Sequence, residues 1–320
     1  MNILVTGIGG NVGYGVLRNL RKNYHDVEII GVNVEFVSAG NHLCNKVYKV
    51  PYGMETGYVA KIIEICVENE IDLIIPSTDY ESYVLSQNKE VLPLVAISDS
   101  DVLNVFLDKY ITYNYFKKLK LPFVESCLIS DFNDQWDEYI VKPREGRGSR
   151  GIHFNPKDLN KFDDTYIVQP YLKGPEFTST FYRTQQGEVL GVITFERSLE
   201  NGATNICEVT SKYNDQLMEV ISKMTNNICV LGSCNIQFKI VNKRIVPFEV
   251  NCRISGTNSI RNEFGFKDVV YTVEDFLFNR KPKVERIESG SSVRITHDII
   301  YKNQKLDEIR NIKDDFYLYN

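Results

Sequence analysis

The sequence predicts an α/β chain in which a parallel, doubly wound sheet is followed by an α+β region of antiparallel hairpins. Three observations predict it. Short apolar runs alternate with amphipathic stretches through the first hundred residues, and a glycine-rich turn joins the first run to the first such stretch. Past Lys120 the pattern changes to closely spaced extended segments with few helices between them.

Residues 3–6 read as a short apolar strand, followed by Gly7, Gly9, Gly10 and Gly13 and an amphipathic stretch over 12–22. Residues 27–32 give a second strand, and 57–69 a helix with Val59, Ile62, Ile63 and Val67 on its apolar face. A buried third strand spans 72–76 and a fourth 94–97. Strands that alternate with helices of this length pair in parallel. One helix runs from about 100 to 119 and carries Lys109. Beyond it, extended segments fall at 139–142, 165–169, 176–182, 188–195, 234–241 and 245–251, with helices near 213–230 and 268–279. No repeat or low-complexity linker interrupts the chain, and the first boundary lies near 100–110.

The composition bounds the function classes. Of 320 residues, 43% are hydrophobic and 25% charged, with 17 Phe and 19 Tyr, enough to bury a core and exclude disorder as the main state. No apolar run approaches the roughly 18 residues of a membrane span, and the N-terminus lacks the basic flank of a secretory signal. A net charge of −5 argues against bulk electrostatic binding of nucleic acid. Seven cysteines without a CxxC pair suit reduced thiols in a cytoplasm rather than a disulfide frame or zinc site.

The turn Val5-Thr6-Gly7-Ile8-Gly9-Gly10-Asn11-Val12-Gly13 allows close backbone approach and exposes helix N–H groups to an anion. A dinucleotide site, with Glu35 as the acid near the end of the second strand, is one reading; a tight turn of such a sheet is the preferred one, because Glu35 alone is thin support. Asp79 and Glu81 follow the third strand and read as a solvated loop, with the cleft between domains as the alternative. The four histidines are scattered and no nucleophile triad is assembled.

Four segments of the second half carry chemistry together. In Tyr139-Ile140-Val141-Lys142-Pro143-Arg144-Glu145-Gly146-Arg147-Gly148-Ser149-Arg150-Gly151 a strand delivers Lys142 into a glycine- and arginine-bearing loop able to close over polyphosphate. It lacks the Gly-Lys-Ser/Thr of a Walker loop. In Ile167-Val168-Gln169-Pro170-Tyr171-Leu172-Lys173-Gly174-Pro175-Glu176 an extended edge beside a purine can offer the Pro170 carbonyl, the Leu172 N–H and the Gln169 amide oxygen, with Glu176 for ribose hydroxyls. The last two segments form a hairpin. Alternation puts Asn235, Gln237 and Lys239 on one face of the first strand, and Glu249 with Asn251 opposite an apolar face of Val246, Phe248 and Val250 on the second. A three-residue loop at 242–244 sets Gln237 directly across from Glu249. One carboxylate and two amide oxygens are hard donors suited to Mg²⁺ shared with phosphates. Arg253 follows at once, in a turn suited to anions.

The combination resembles the ATP-grasp superfamily over essentially the whole chain. "VTGIGGNVG" is similar to the opening of the Rossmann-like domain that precedes the grasp; "IVKP" to the second ATP lysine and its phosphate-covering loop; "QPYLKGPEFT" to the adenine hinge and ribose acid, of D-alanine ligase type at its end. "NIQF" with "FEVNCRISGT" resembles the carbamoyl-phosphate synthetase large subunit. Order and spacing together are specific. The resemblance implies a Rossmann-like pre-ATP-grasp domain at 1–105, a small ATP-grasp subdomain at 106–172 and a C-terminal one at 173–320.

It implies ATP and Mg²⁺ (or Mn²⁺) as cofactors. Lys109, Lys142, Arg147 and Gly148 would meet the phosphates, Gln169, Tyr171 and Leu172 the adenine, and Glu176 the ribose. Gln237, Glu249 and Asn251 would hold metal, with Arg253 and Lys142 catalytic and Arg261 and Arg294 as substrate-carboxylate clamps. Gln169 stands where many members have Glu, and Cys252 replaces the proline common after the metal-binding Asn. The implied reaction joins a small-molecule carboxylate to an amine or thiol through an acyl phosphate, releasing ADP and phosphate, with no nucleic acid or membrane partner and a homodimer compatible. A carboxylate kinase of this fold and an NAD-dependent oxidoreductase built on the first turn are the alternatives.

Overall fold

The computed structural model describes residues 1–146, 148 and 150–319. Its first element is β1 (Asn2–Val5), which lies at the centre of a five-stranded parallel sheet. Around it come α1 (Asn11–Asn23), β2 (Glu28–Asn33), β3 (Lys46–Lys49), α2 (Tyr58–Glu68), β4 (Leu73–Ile75), α3 (Asp79–Ser86) and β5 (Leu94–Val95), in the strand order β3-β2-β1-β4-β5. Alternation along the strands sends Ile3, Val5, Ile29, Leu73 and Ile75 to the face covered by Val16, Leu17 and Leu20 of α1. Leu4, Ile30, Val32 and Ile74 go to the opposite face, against Ile62 and Ile65 of α2.

Two helices stand where one is expected at 100–119. α4 (Ser100–Leu107) ends at Asp108, and α5 (Lys109–Lys118) begins there. The Asp108 carboxylate accepts from the N–H groups of Tyr110 (2.8 Å) and Ile111 (3.2 Å), so a side chain that competes for backbone donors resets the helix. The helix α3 replaces the expected solvated loop. Thr78 caps it by accepting from the Glu81 N–H, and Glu81 reaches back to the Thr78 hydroxyl at 2.7 Å.

The second half contains two antiparallel sheets. β6 (Cys127–Leu128), β7 (Tyr139–Pro143), β8 (His153–Phe154) and β9 (Tyr166–Pro170) form a four-stranded sheet ordered β6-β9-β7-β8. β10 (Glu176–Arg183), β11 (Val189–Glu200), β12 (Ala203–Val209), β13 (Gly232–Val241), β14 (Arg244–Asn251) and β15 (Ser291–Val293) form a six-stranded sheet ordered β14-β13-β10-β11-β12-β15. α6 (Asn214–Thr225) packs on it through Leu217, Val220, Ile221 and Met224. The expected helix at 268–279 is α8 (Asp268–Thr272) continued as one π-helical stretch, Val273–Leu277, after a short α7 (Asn258–Arg261). Val269, Val273 and Phe276 join the core cluster of the first sheet.

The chain end also returns to its beginning. β16 (Asp298–Ile300) pairs with β17 (Tyr317–Tyr319); the Ile312 N–H donates to the Cys44 carbonyl at 2.7 Å, and Phe316 packs on His42 with ring centroids 5.1 Å apart. Among the described residues no helix is long and apolar enough to cross a membrane.

Candidate active site

The three large sheets enclose one cavity of about 1010 Å³. Lys109, Lys142, Gly148, Gln169, Tyr171, Leu172, Glu176, Gln237, Glu249, Asn251, Arg253 and Arg294 all line it. Arg147 lies outside the described residues.

The hairpin of β13 and β14 reaches the expected register by a different route. Its loop has two residues, Asn242 and Lys243, both with positive φ (50° and 66°), the geometry of a tight hairpin turn. A bulge then inserts one residue at Phe248, so that Phe238 pairs with Pro247 while Gln237 pairs with Glu249 and Asn235 with Asn251. A shorter loop and an extra residue cancel. The bulge corrects the expected apolar face: Ile245, Pro247 and Val250 are buried, whereas Phe248 turns into the cavity beside Glu249. On the polar face, Asn251 donates to Glu249 Oε1 at 3.0 Å and Gln237 Nε2 approaches the same oxygen at 3.4 Å. Gln237 Oε1, expected to face a cation, instead accepts from Arg197 at 2.8 Å.

Two lysines enter from the facing sheet and the helix break. Lys142 is 4% exposed on β7, its Nζ 3.4 Å from the Phe248 carbonyl oxygen and 5.6 Å from the Phe248 ring centre. Burial pushes its pKa down to about 7 and the Lys109 charge adds to this, while Glu249 and Glu176 pull the other way. Lys109, first residue of α5, donates to the carbonyls of Arg144 (3.3 Å) and Gly146 (3.2 Å), and Arg144 pairs with Asp108 at 2.6 Å. The helix break thus anchors the base of the glycine loop between β7 and β8. The loop tip crosses to the turn between β11 and β12, where a Cβ on Gly202 would collide with the Gly148 carbonyl.

At the β9 end of the cavity, Gln169 is 1% exposed and its amide donates to Ser126 Oγ at 2.8 Å. β6 covers β9 only at Ile167 and Val168, and the Tyr171 N–H continues the other ladder to the Glu138 carbonyl at 2.8 Å, so the strand past Val168 runs along the cavity with one edge uncovered. Glu176 is ion-paired to Arg197 at 2.7 Å.

Arg253 pairs with Asp79 at 2.6 Å, tying the start of α3 in the first domain to the end of β14. Its Nε is buried without a hydrogen-bond partner among the described residues.

Two expectations fail. Arg261 is fully buried and outside the cavity; it grips Asp268 through Nε (3.0 Å) and a terminal nitrogen (2.5 Å) and donates to Ser255 and Thr257, which makes it a structural anchor rather than a substrate clamp. Arg294 does line the cavity, held by the Gly256 carbonyl at 2.8 Å. Glu35 leaves the nicotinamide alternative without its acid: its side chain is 75% exposed, near Lys49 at 3.8 Å, and does not line the cavity.

Sequence reasoning missed Arg197 and undervalued Asp79. The capping pattern Thr78-x-x-Glu81 was a readable signal for the second. Arg197 had none, because its place opposite Glu176 depends on a bulge in β11.

Comparison with known proteins agrees with this architecture. The family description "PylC-like, N-terminal domain" matches residues 3–97, and "ATP-grasp domain" matches residues 106–257. The chain carries an ATP-grasp domain over residues 106–257. Among solved structures, the chain is similar to N5-carboxyaminoimidazole synthetase from Staphylococcus aureus complexed with ADP (TM-score 0.74, 14% identity, 90% of this chain and 79% of that one). It is also similar to the biotin carboxylase domain of Hydrogenobacter thermophilus 2-oxoglutarate carboxylase with MgADP and bicarbonate (0.71, 14%, 90% and 73%). A third is N5-carboxyaminoimidazole ribonucleotide synthetase from Thermus thermophilus (0.72, 10%, 99% and 92%). At these identities the likeness is one of fold. No match exists among curated proteins.

Proposed function

We propose that this ATP-grasp protein is an ATP- and Mg²⁺-dependent ligase that joins a small-molecule carboxylate to an amine through an acyl phosphate. The observation that carries the reading is the meeting of Glu249 and Asn251 with Lys142 and Lys109 on one cavity. The carboxylate of Glu249 and the amide of Asn251 fit a hard cation shared with phosphate oxygens. When bound, that cation supplies neutralisation of phosphate charge.

The residues then have defined work. Lys109 and Lys142 bind the phosphates, Gln169 to Leu172 the purine edge, and Glu176 the ribose. The glycine loop closes on the Gly202 turn and excludes water. A carboxylate oxygen attacks the γ-phosphorus, the bond to the ADP oxygen breaks, and Arg253 and Lys142 offset charge on the transferring group. The amine nitrogen next attacks the acyl carbon; the C–O bond to phosphate breaks, phosphate departs, and the nitrogen loses a proton. Positioning does most of this, since no covalent enzyme intermediate is needed. All seven cysteines are free, which with ATP use fits the cytoplasm. A homodimer is compatible with the reading, and light scattering counts the copies.

A panel of carboxylates against amines, with nucleotide products and product masses recorded, tests the reading. ADP, phosphate and an amide are expected. ADP with an acyl phosphate and no amide would make the chain a kinase; AMP with pyrophosphate would reject the acyl-phosphate route.

A further inference from the structure

We propose that Arg197 is the positioning residue for nucleotide ribose: it holds the Glu176 carboxylate and the Gln237 amide in the orientation that selects a ribonucleotide over its 2′-deoxy form. The inference rests on the nucleotide reading above and assigns a residue that reading does not use.

Arg197 lines the cavity with a side chain only 9% exposed. Its Nε (3.1 Å) and one terminal nitrogen (2.7 Å) both donate to Glu176 Oε1; the same terminal nitrogen donates to Gln237 Oε1 (2.8 Å), and the other to Thr204 Oγ1 (3.0 Å). Both bonds to Glu176 land on one oxygen. The two donors pin Oε1 more firmly than a point charge on a flexible stem would, and leave Oε2 outside the pairing.

The same guanidinium decides which way the Gln237 amide points. An arginine can only donate and an ionised carboxylate can only accept, so with Arg197 on one side and Glu249 on the other the oxygen must face Arg197 and the NH₂ must face Glu249. Gln237 becomes the bridge between the ribose end and the cation end. The Gln237 oxygen is then spent on a positive group at 2.8 Å, whereas the Asn251 oxygen has only a longer contact, 3.4 Å, to Arg253, so Glu249 and Asn251 are the residues that would hold a cation.

This placement is built by the backbone. The register between β10 and β11 slips by one residue, from Arg183 opposite Val189 to Phe181 opposite Val192. Gly191 sits inside that slip with φ +101°. Only because of the extra residue does Arg197 stand across from Glu176; without it Glu196 would, and two carboxylates would repel.

The test is calorimetric binding of MgADP and of Mg-2′-deoxyADP to the full chain. Wild type is expected to prefer ADP by about tenfold, the worth of one hydrogen bond to a charged group. Arg197→Gln and Arg197→Lys are expected to lose most of that preference, the lysine variant less completely, with Arg197→Lys carrying the test where Arg197→Gln does not fold. Glu176→Gln should lose it too, and adding Arg197→Gln to Glu176→Gln should change the ADP-to-deoxyADP ratio no further. Weaker binding with an unchanged ratio in both Arg197 variants would reduce Arg197 to a structural ion pair and overturn the inference. A wild type that binds no MgADP would overturn the nucleotide reading itself, an outcome visible before any variant is made.

Discussion

The turn at 7–13 and the loop at 144–151 are both rich in glycine, yet their glycines have different neighbours. At Gly13 a Cβ would stand 2.5 Å from the Gly7 carbonyl oxygen, with Ile8 Cα at 2.9 Å; at Gly146 it would meet nothing nearer than Pro143, at 3.4 Å. Gly13 lets the first turn of α1 close on the backbone of the preceding loop, while Gly146 has room above a cavity lined with lysine and carboxylate. A run of glycines therefore says little about chemistry until the packing around it is known. In this chain the early turn combines tight packing at Gly13 with a share of the cavity wall through Gly7, Gly10, Asn11 and Val12, whereas the lysines and Glu249 in that cavity come from later elements.

That contrast can be broken by substitution. The largest effect is expected at Glu249→Ala, which should cut ATP-dependent turnover by about 10²–10³-fold, the scale seen when one preorganised group at developing charge is removed. Thermal unfolding of the variant should match wild type, because Glu249 faces the cavity and not the core. Next comes Gly13→Ala, expected to destabilise the fold by about 1–3 kcal/mol in urea titration through overpacking against backbone, while the folded fraction keeps its nucleotide affinity. A loss of affinity without loss of stability there would reverse the assignment of scaffold and site.

A smaller, pH-dependent effect should mark Lys142. With its pKa near 7 it is largely neutral at pH 8, and incoming phosphate favours the charged form, so nucleotide binding should take up close to one proton at pH 8 and almost none at pH 6. Calorimetry in buffers of different ionisation enthalpy reads this directly, and Lys142→Met should abolish it. In linkage terms, between about 7 and the ordinary lysine value of 10.5 the unfolded chain binds the extra proton, so this residue's contribution to stability rises with pH across that window. The smallest effect is expected at Gly146→Ala, where a methyl group has room: the melting temperature should stay within about 1–2 °C of wild type, the size of a neutral surface change.

Much of the fold could be read from periodicity, because core-facing apolar residues recur at 2 or 3.6 and the parallel strands are short and apolar. What escaped reading was decided by single side chains and single inserted residues. Asp108 splits one helix into two by capping the second. Phe248 bulges out and exchanges core for cavity at its own position, yet leaves Gln237 across from Glu249 because the hairpin loop is one residue shorter than expected. The bulge at Gly191 brings in Arg197, and no alternation pattern announces it. Arg261 and Arg294 look equivalent in sequence; only the buried Asp268 beside the first separates anchor from cavity lining.

If the cavity between the sheets holds a magnesium nucleotide on Lys109, Lys142, Glu249 and Asn251, ADP binding must depend on the cation. ADP titrated into wild-type protein with Mg²⁺, and again with EDTA, reads this. One saturable site per chain is expected, at least about tenfold weaker in EDTA, because the cation is shared between the carboxylate and the phosphates. Absence of binding at millimolar ADP, or binding indifferent to Mg²⁺, would contradict it.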